Sequence, residues 1–255
     1  MKNYSSNLNP EKIIVPGKVY YKEITESTNL DAKQAENAPD KSVFVADMQT
    51  SGRGRLGRTW SSPKGCGIFM SILLKPQGNI ADISQLTLIA GLAVSRVIDK
   101  TVIKWPNDVL ISNKKVAGIL TEMSLEQGKI KNIIVGMGIN VNNKDFPDEL
   151  CDKATSLYIE TGKNFDREKI ICDITKEFFL MYDEFVNSGF IAFKKEYSEK
   201  CTTLNKEVYI VNGEEKRIAK AIDITDKGEL IVELNGKKEI INSHEVSVRG
   251  LLGYA

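Results

Sequence analysis

The chain has 255 residues, 42% hydrophobic and 27% charged, enough for one large domain beside a small one and for a sizeable buried core. A net charge of +1 excludes a general binder of polyanions, because affinity for nucleic acid or an anionic membrane surface rests on accumulated positive charge. One histidine and four scattered cysteines (Cys66, Cys151, Cys172, Cys201), with no CxxC pair, exclude zinc-site, disulfide-framework and histidine-triad chemistry and fit a reducing compartment.

Residues 1–18 are polar and read as an N-terminal tail without a signal peptide, and no apolar run reaches membrane-spanning length, so a cytoplasmic location is expected. Residues 19–25 read as a strand. Ser27-Thr28-Asn29-Leu30-Asp31 then reads as a helix start, with Thr28 and Asp31 spaced as a capping box. Residues 43–48 and 67–74 read as strands. Over 82–100, Leu86, Ile89, Ala93 and Val97 recur at helical spacing behind Asp82 as N-cap. Residues 102–111 and 116–123 read as strands joined by a Ser112-Asn113-Lys114-Lys115 turn, and 131–140 as another strand with Gly136 and Gly138 open to close approach. Helical spacing returns over 166–188 (Ile170, Ile174, Phe178, Met181) and 190–200. After Leu204 come short alternating strands, 208–211, 219–224, 230–234 and 239–241, parted by turns at Asn212-Gly213, Asp226-Lys227-Gly228 and Asn235-Gly236; His244 beyond them reads as a surface histidine. Adjacent strands without regular βαβ alternation predict an α+β fold with a mixed or antiparallel sheet over 19–203 and a small all-β module over 204–255.

Three clusters carry the chemistry. In Ser51-Gly52-Arg53-Gly54-Arg55-Leu56-Gly57-Arg58-Thr59-Trp60, glycines permit close backbone approach and arginines supply permanently charged forks for carboxylate or phosphate. The loop is neither a Walker A sequence nor a Rossmann fingerprint. Trp60 offers a stacking surface. In Lys104-Trp105-Pro106-Asn107-Asp108, the rigid Trp-Pro step holds Asn107 to orient a ligand or cap a turn, and Asp108 to accept from a ligand N–H or an amine. Lys114-Lys115-Val116-Ala117-Gly118 adds cations that are either solvated turn charges or ligand contacts. Fixed cations, an aromatic and glycines without a nucleophile or histidine base suit phosphoryl or nucleotidyl transfer, where positioning and charge stabilisation dominate.

These clusters, together with Lys115-Val116-Ala117-Gly118-Ile119-Leu120, Gly136-Met137-Gly138-Ile139-Asn140 and Ser27-Thr28-Asn29, closely resemble biotin protein ligases (biotin–[acetyl-CoA-carboxylase] ligases) in order and spacing from about Lys18 to the end. The resemblance implies a catalytic domain like that of class II aminoacyl-tRNA synthetases followed by an SH3-like β-barrel. It implies biotin and Mg-ATP as substrates, giving biotinyl-5′-AMP and pyrophosphate, then transfer to one lysine of a biotin carboxyl carrier protein. It implies Lys115, Arg55 and Asp108 as catalytic residues, and Ser27, Thr28, Asn29, Gln49, Gly52, Arg53, Arg55, Lys115 and Gly118 around biotin. Arg53, Arg55, Arg58, Trp60, Asn107, Lys115 and Asn140 would contact ATP or the adenylate, and no residue is assigned to a resident metal. Motifs beginning near residue 25 leave no room for the DNA-binding domain of repressor members, so no DNA partner is expected; a homodimer stays open. Leu56 stands where the family often has a further basic residue, which would weaken adenylate retention. Two other readings are a lipoate ligase-like acyl transferase, disfavoured because lipoate lacks the ureido group, and a non-catalytic biotin-binding paralogue, disfavoured by Arg55 and Lys115.

Overall fold

A run from Gly67 to Leu74 that is apolar apart from Ser71 needs cover on both faces, and as the third strand, β3, it is buried along its whole length. A computed structural model describes residues 7–76, 83–127, 129–212, 214–243 and 247–250. In it β3 lies inside a seven-stranded sheet of order β1-β2-β3-β7-β6-β5-β4. The other members are β1 (Val19–Thr25), β2 (Ser42–Gln49), β4 (Val102–Lys104), β5 (Asp108–Ile111), β6 (Lys114–Glu126) and β7 (Lys129–Asn140). Only β1 and β2 run parallel; the remaining ladders are antiparallel, so the sheet is mixed.

Period-two alternation splits this sheet into two faces. Val43, Val45, Ile68, Met70, Ile72, Val135 and Ile139 join the main core with α2 (Ser84–Val97) and α5 (Arg167–Ser188). Phe44, Leu73 and Ile134 turn the other way and pack on Ala32 of α1 (Thr28–Gln34) and on Ala38. Further along that second face the same strands present Ser71, Gly136, Gly138 and Gly118, which sit in register as Ser71↔Gly136 and Gly118↔Gly138.

Short helices α3 (Asp148–Cys151) and α4 (Leu157–Thr161) follow β7, and α6 (Ile191–Lys200) follows α5. Neither α3 nor α4 was expected. The later strands β8 (Glu207–Asn212), β9 (Glu215–Ile224), β10 (Leu230–Leu234), β11 (Lys237–Ile241) and β12 (Ser247–Gly250) form an antiparallel sheet of order β11-β10-β9-β8-β12. No ladder joins β11 to β12 among the described residues. The apolar side of this second unit (Val208, Ile210, Ala221, Val232) belongs to the same continuous core as the large sheet. No helix among the described residues is long and apolar enough to cross a membrane.

Several expectations are corrected. Residues 102–111 form two strands, β4 and β5, paired antiparallel around a turn at Trp105-Pro106-Asn107, because Pro106 has no N–H to give to a ladder. The turn after β5 is Ser112-Asn113 alone, both residues with φ near +50° to +62°, and Lys114 and Lys115 already belong to β6. The capping box fails: Ser27 is the N-cap of α1, and Asp31 instead accepts from Lys22 Nζ and Thr25 Oγ1, each at 2.7 Å. Within the supposed tail, Leu8 and Ile13 are buried, and the Leu8 N–H donates to the Asp47 carboxylate at 3.1 Å. Asp166, by contrast, does cap α5, accepting from the Lys169 N–H. Asp82, Gly213 and His244 lie outside the described residues.

Candidate active site

The site grows from the uncovered end of the second sheet face. Glycines at 118, 136 and 138 leave that stretch without side chains, and other groups occupy the space. A Cβ at Gly138 would lie 2.4 Å from the Trp60 ring, one at Gly118 2.8 Å from both Trp60 and Lys115 Cε, and one at Gly136 2.1 Å from Asn29 Oδ1. Trp60 thus lies flat on a glycine floor. A cavity of about 520 Å³ opens here, lined by Thr28, Gln49, Arg55, Trp60, Asp108 and Lys115 among others.

A β-bulge decides which lysine enters it. Gly118 pairs with Asp108 and Lys115 with Leu110, so two steps on β5 oppose three on β6. Residues two apart on β5 share a face, hence Lys115 shares one with Asp108 and Gly118. The Lys115 Nζ lies 2.5 Å from Asp108 Oδ1 and 5.0 Å from the centre of the Trp60 ring. Lys114 leaves on the opposite side, donating to the Cys151 carbonyl at 2.9 Å. The Lys115 backbone is held firmly: its N–H donates to Lys153 O at 2.8 Å, and its carbonyl accepts from the Thr155 N–H at 2.9 Å and Asn140 Nδ2 at 3.4 Å.

Residues 52–60 form a small hairpin over the cavity. The Trp60 N–H donates to Gly52 O, the Gly54 N–H to Arg58 O, and Arg53 bridges Thr59. Gly52 is required, since a Cβ there would meet Trp60 O at 2.5 Å. At the tip, Leu56 (φ 55°) and Gly57 (φ 72°) take the left-handed conformation, and Leu56 is exposed. Arg53 and Arg58 are exposed as well. Arg55 folds inward: one guanidinium nitrogen donates to Asn107 Oδ1 at 3.1 Å, another to the Ser243 carbonyl of the second unit. Burial pulls its pKa below the ordinary guanidinium value, with Asp108 opposing and Arg58 adding to that effect. A cation whose solvation has been stripped in this way favours an incoming anion.

The far end of the cavity is polar. The Thr28 N–H donates to Gln49 Oε1 at 2.9 Å, Gln49 Nε2 donates to Ser62 Oγ at 2.9 Å, and Ser71 Oγ lies 2.7 Å from Thr28 Oγ1. Ser27 is buried alongside them.

Ser27, Thr28, Asn29, Gln49, Arg53, Arg55, Arg58, Trp60, Asn107, Asp108, Lys115, Gly118 and Asn140 all border the one cavity, whereas Gly52 supports it from behind. Three asparagines among them are already engaged in holding the scaffold, Asn107 by donating from Nδ2 to Ile119 O at 3.2 Å. Asn140 Nδ2 donates to the Lys115 and Thr155 carbonyls, and Asn29 Nδ2 to Glu122 Oε2 and Leu120 O. Sequence reasoning missed Lys104, which is buried against the cavity, and Ser71 and Glu122 behind it. A serine in the middle of the otherwise apolar run Gly67–Leu74 was the available signal. The second unit is anchored beside the site, since the Trp105 indole N–H donates to Gly228 O at 2.9 Å, and the Trp105 backbone N–H donates to Thr203 Oγ1, just before that unit, at 3.0 Å.

Residues 20–140 match the Biotin/lipoate A/B protein ligase family, and residues 203–249 match the Biotin protein ligase C terminal domain. The bifunctional ligase/repressor BirA of Bacillus subtilis is 40% identical over 235 residues, covering 88% of this chain and 72% of that protein. A biotin–[acetyl-CoA-carboxylase] ligase of Paracoccus denitrificans is 30% identical over 239 residues, 89% of this chain and 98% of the relative. Among solved structures, the biotin protein ligase from Aquifex aeolicus in complex with biotin and ATP superposes with a TM-score of 0.82 at 35% identity, over 91% of this chain and 99% of that one.

Proposed function

The chain belongs to the biotin protein ligase family, and from that premise we propose how its own residues divide the work of joining biotin to a carrier lysine at the cost of ATP. Members of the family act on carrier proteins of biotin-dependent carboxylases, and biotin and ATP are the substrates. The observation that carries the assignment is the convergence of Lys115, Arg55 and Asp108 with the polar Thr28–Gln49 end on a single cavity.

In the first step a carboxylate oxygen of biotin attacks the α-phosphorus of ATP, the bond to the bridging oxygen breaks, and pyrophosphate leaves. Two anions must approach, so fixed cations carry much of the catalysis. Lys115, held by its backbone, neutralises the charge shared by carboxylate and α-phosphate, and Arg55 adds a second cation from the hairpin of residues 52–60. Before substrate arrives Asp108 keeps Lys115 in place; when Lys115 turns to the phosphate, the Asp108 carboxylate is free to accept. In the second step the carrier amine attacks the acyl carbon, AMP departs, and Asp108 receives the surplus proton of the amine. Thr28, Gln49 and Ser27 hold the ureido ring, with Gly118 giving it room. Trp60, Arg53, Arg58, Asn107 and Asn140 serve the nucleotide side, Asn140 by fixing the Lys115 backbone. Mg²⁺ arrives with ATP, where it neutralises phosphate charge.

We take residues 19–203 as the catalytic domain and 204–255 as the C-terminal domain. Four free thiols support a cytoplasmic location, and a net charge of +1 supports a role without DNA. The assigned residues all come from one chain, so the reading does not require a homodimer. Purified protein given biotin and Mg-ATP should form biotinyl-5′-AMP detectable by mass spectrometry and should label a carboxyl carrier domain. Turnover of lipoate but not biotin would overturn this reading.

A further inference from the structure

Behind the polar end of the cavity, a chain of hydrogen bonds runs from Glu122 to Thr28, and proton counting gives it a direction. Asn29 Nδ2 sits between Glu122 Oε2 (2.6 Å) and Leu120 O (3.3 Å), a carboxylate and a carbonyl that both accept. That fixes the amide, so Asn29 Oδ1 faces Ser71 Oγ at 2.6 Å and can only accept. Ser71 is fully buried, with one proton to share between Asn29 Oδ1 and Thr28 Oγ1. Asn29 takes it. Toward Thr28, 2.7 Å away, Ser71 is then left as an acceptor, and the Thr28 hydroxyl proton is drawn to it. The competing acceptor, Gln49 Oε1, is farther from that hydroxyl at 3.2 Å and already receives the Thr28 N–H. Thr28 Oγ1 therefore presents only lone pairs to the cavity.

We propose that Glu122, Asn29 and Ser71 form a polarity relay that makes Thr28 an obligate acceptor, so that the site selects a ligand offering an N–H there. Ser71 and Glu122 are positioning residues that act through Thr28. The inference rests on the reading of this cavity as the biotin site, where the group presented would be a ureido N–H. A ring with oxygen in that place sets lone pair against lone pair and leaves a buried acceptor unpaired. Gly136 belongs to the device, because any side chain there would displace Asn29.

The test uses adenylate formation with biotin and with its two cyclic carbamate analogues, in which oxygen replaces one or the other ureido N–H. The wild type should prefer biotin over at least one carbamate by about 10² in kcat/KM. In Ser71→Ala the Thr28 hydroxyl can turn outward, so this preference should shrink about tenfold, with biotin KM raised and kcat and the ATP KM nearly unchanged. Glu122→Leu should act in the same direction, and it carries the test should Ser71→Ala not fold. Glu122→Gln, which can still accept from Asn29, should restore the preference. An unchanged preference in folded Ser71→Ala or Glu122→Leu would overturn the relay while leaving biotin ligation intact. Failure of the wild type to adenylate biotin would instead overturn the reading on which the relay rests.

Discussion

Lys115 and Arg55 face one cavity but are held in opposite ways. Lys115 sits on a sheet strand, with its N–H and carbonyl both bonded to neighbouring backbone. Arg55 rides on the hairpin of residues 52–60 and reaches the rest of the molecule through its guanidinium, to Asn107 and the Ser243 carbonyl. A cation on a sheet is placed before any substrate arrives, whereas a cation on a loop can be placed by the substrate itself. Pairing the two lets the site be preorganised at the reacting bond and still open for exchange.

The sharpest way to break this contrast is Lys115→Ala, which should cut biotinyl-adenylate formation by about 10³-fold while biotin still binds calorimetrically. Near-wild-type turnover would remove Lys115 from the reaction. Arg55→Ala should cost about 10²-fold and, because the hairpin loses its anchors, should also speed tryptic cleavage after Arg53 and Arg58. Unaltered cleavage in that variant would mean that something other than Arg55 holds the loop. Gly138→Ala, which drives a methyl into Trp60, should raise the ATP KM about tenfold with Lys115 untouched; an unchanged ATP KM would deny the floor its role. In the wild type, biotin and Mg-ATP together should slow cleavage after Arg53 and Arg58 severalfold, and no protection would refute substrate-driven placement.

One further effect lies away from both cations, at Cys66 just before β3. Burial pushes the Cys66 thiol from 9.0 up to about 11. Between those values the native chain holds a proton that the unfolded chain has released, so stability is intact below pH 9 and falls as pH rises toward 11. The loss should reach at most about 2–3 kcal/mol. Urea midpoints of wild type and Cys66→Ala at pH 8 and pH 10.5 would show it as a steeper loss in the wild type, since Cys201 and Tyr182, also raised by burial, titrate in both.

Much of this fold was legible in alternation and helical spacing: the strands at 19–25, 67–74 and 230–234 fall where they were expected. The β4–β5 hairpin was not, because Trp105 and Pro106 carry the apolar run straight through the turn. Nor was the bulge. Counting back from Gly118 in steps of two reaches Val116 and Lys114, so strict alternation would send Lys114 into the cavity; the additional residue on β6 hands that place to Lys115. Helices α3 and α4 are too short to show a period. The glycines and arginines of the loop announced an anion site, but which arginine turns inward depends on Asn107 and on a stretch of chain nearly two hundred residues away. Ser71 was hidden by the strand around it.

Two hydrogen bonds that fasten the second unit to the site, Trp105 to Gly228 and Arg55 to Ser243, both end on carbonyl oxygens of the main chain. Replacing Ser243 by another residue leaves its oxygen in place as long as the backbone path is kept, whereas Gly228, with φ 82° and a Cβ that would lie 2.2 Å from Leu88 Cδ1, takes no side chain without shifting the main chain. An alanine scan of the C-terminal unit would therefore pass over the Ser243 attachment and register the Gly228 one only through the displaced main chain. Their contribution becomes visible only to changes that redirect the main chain, such as a residue inserted into the 225–229 turn, or to replacement of the amide acceptor itself.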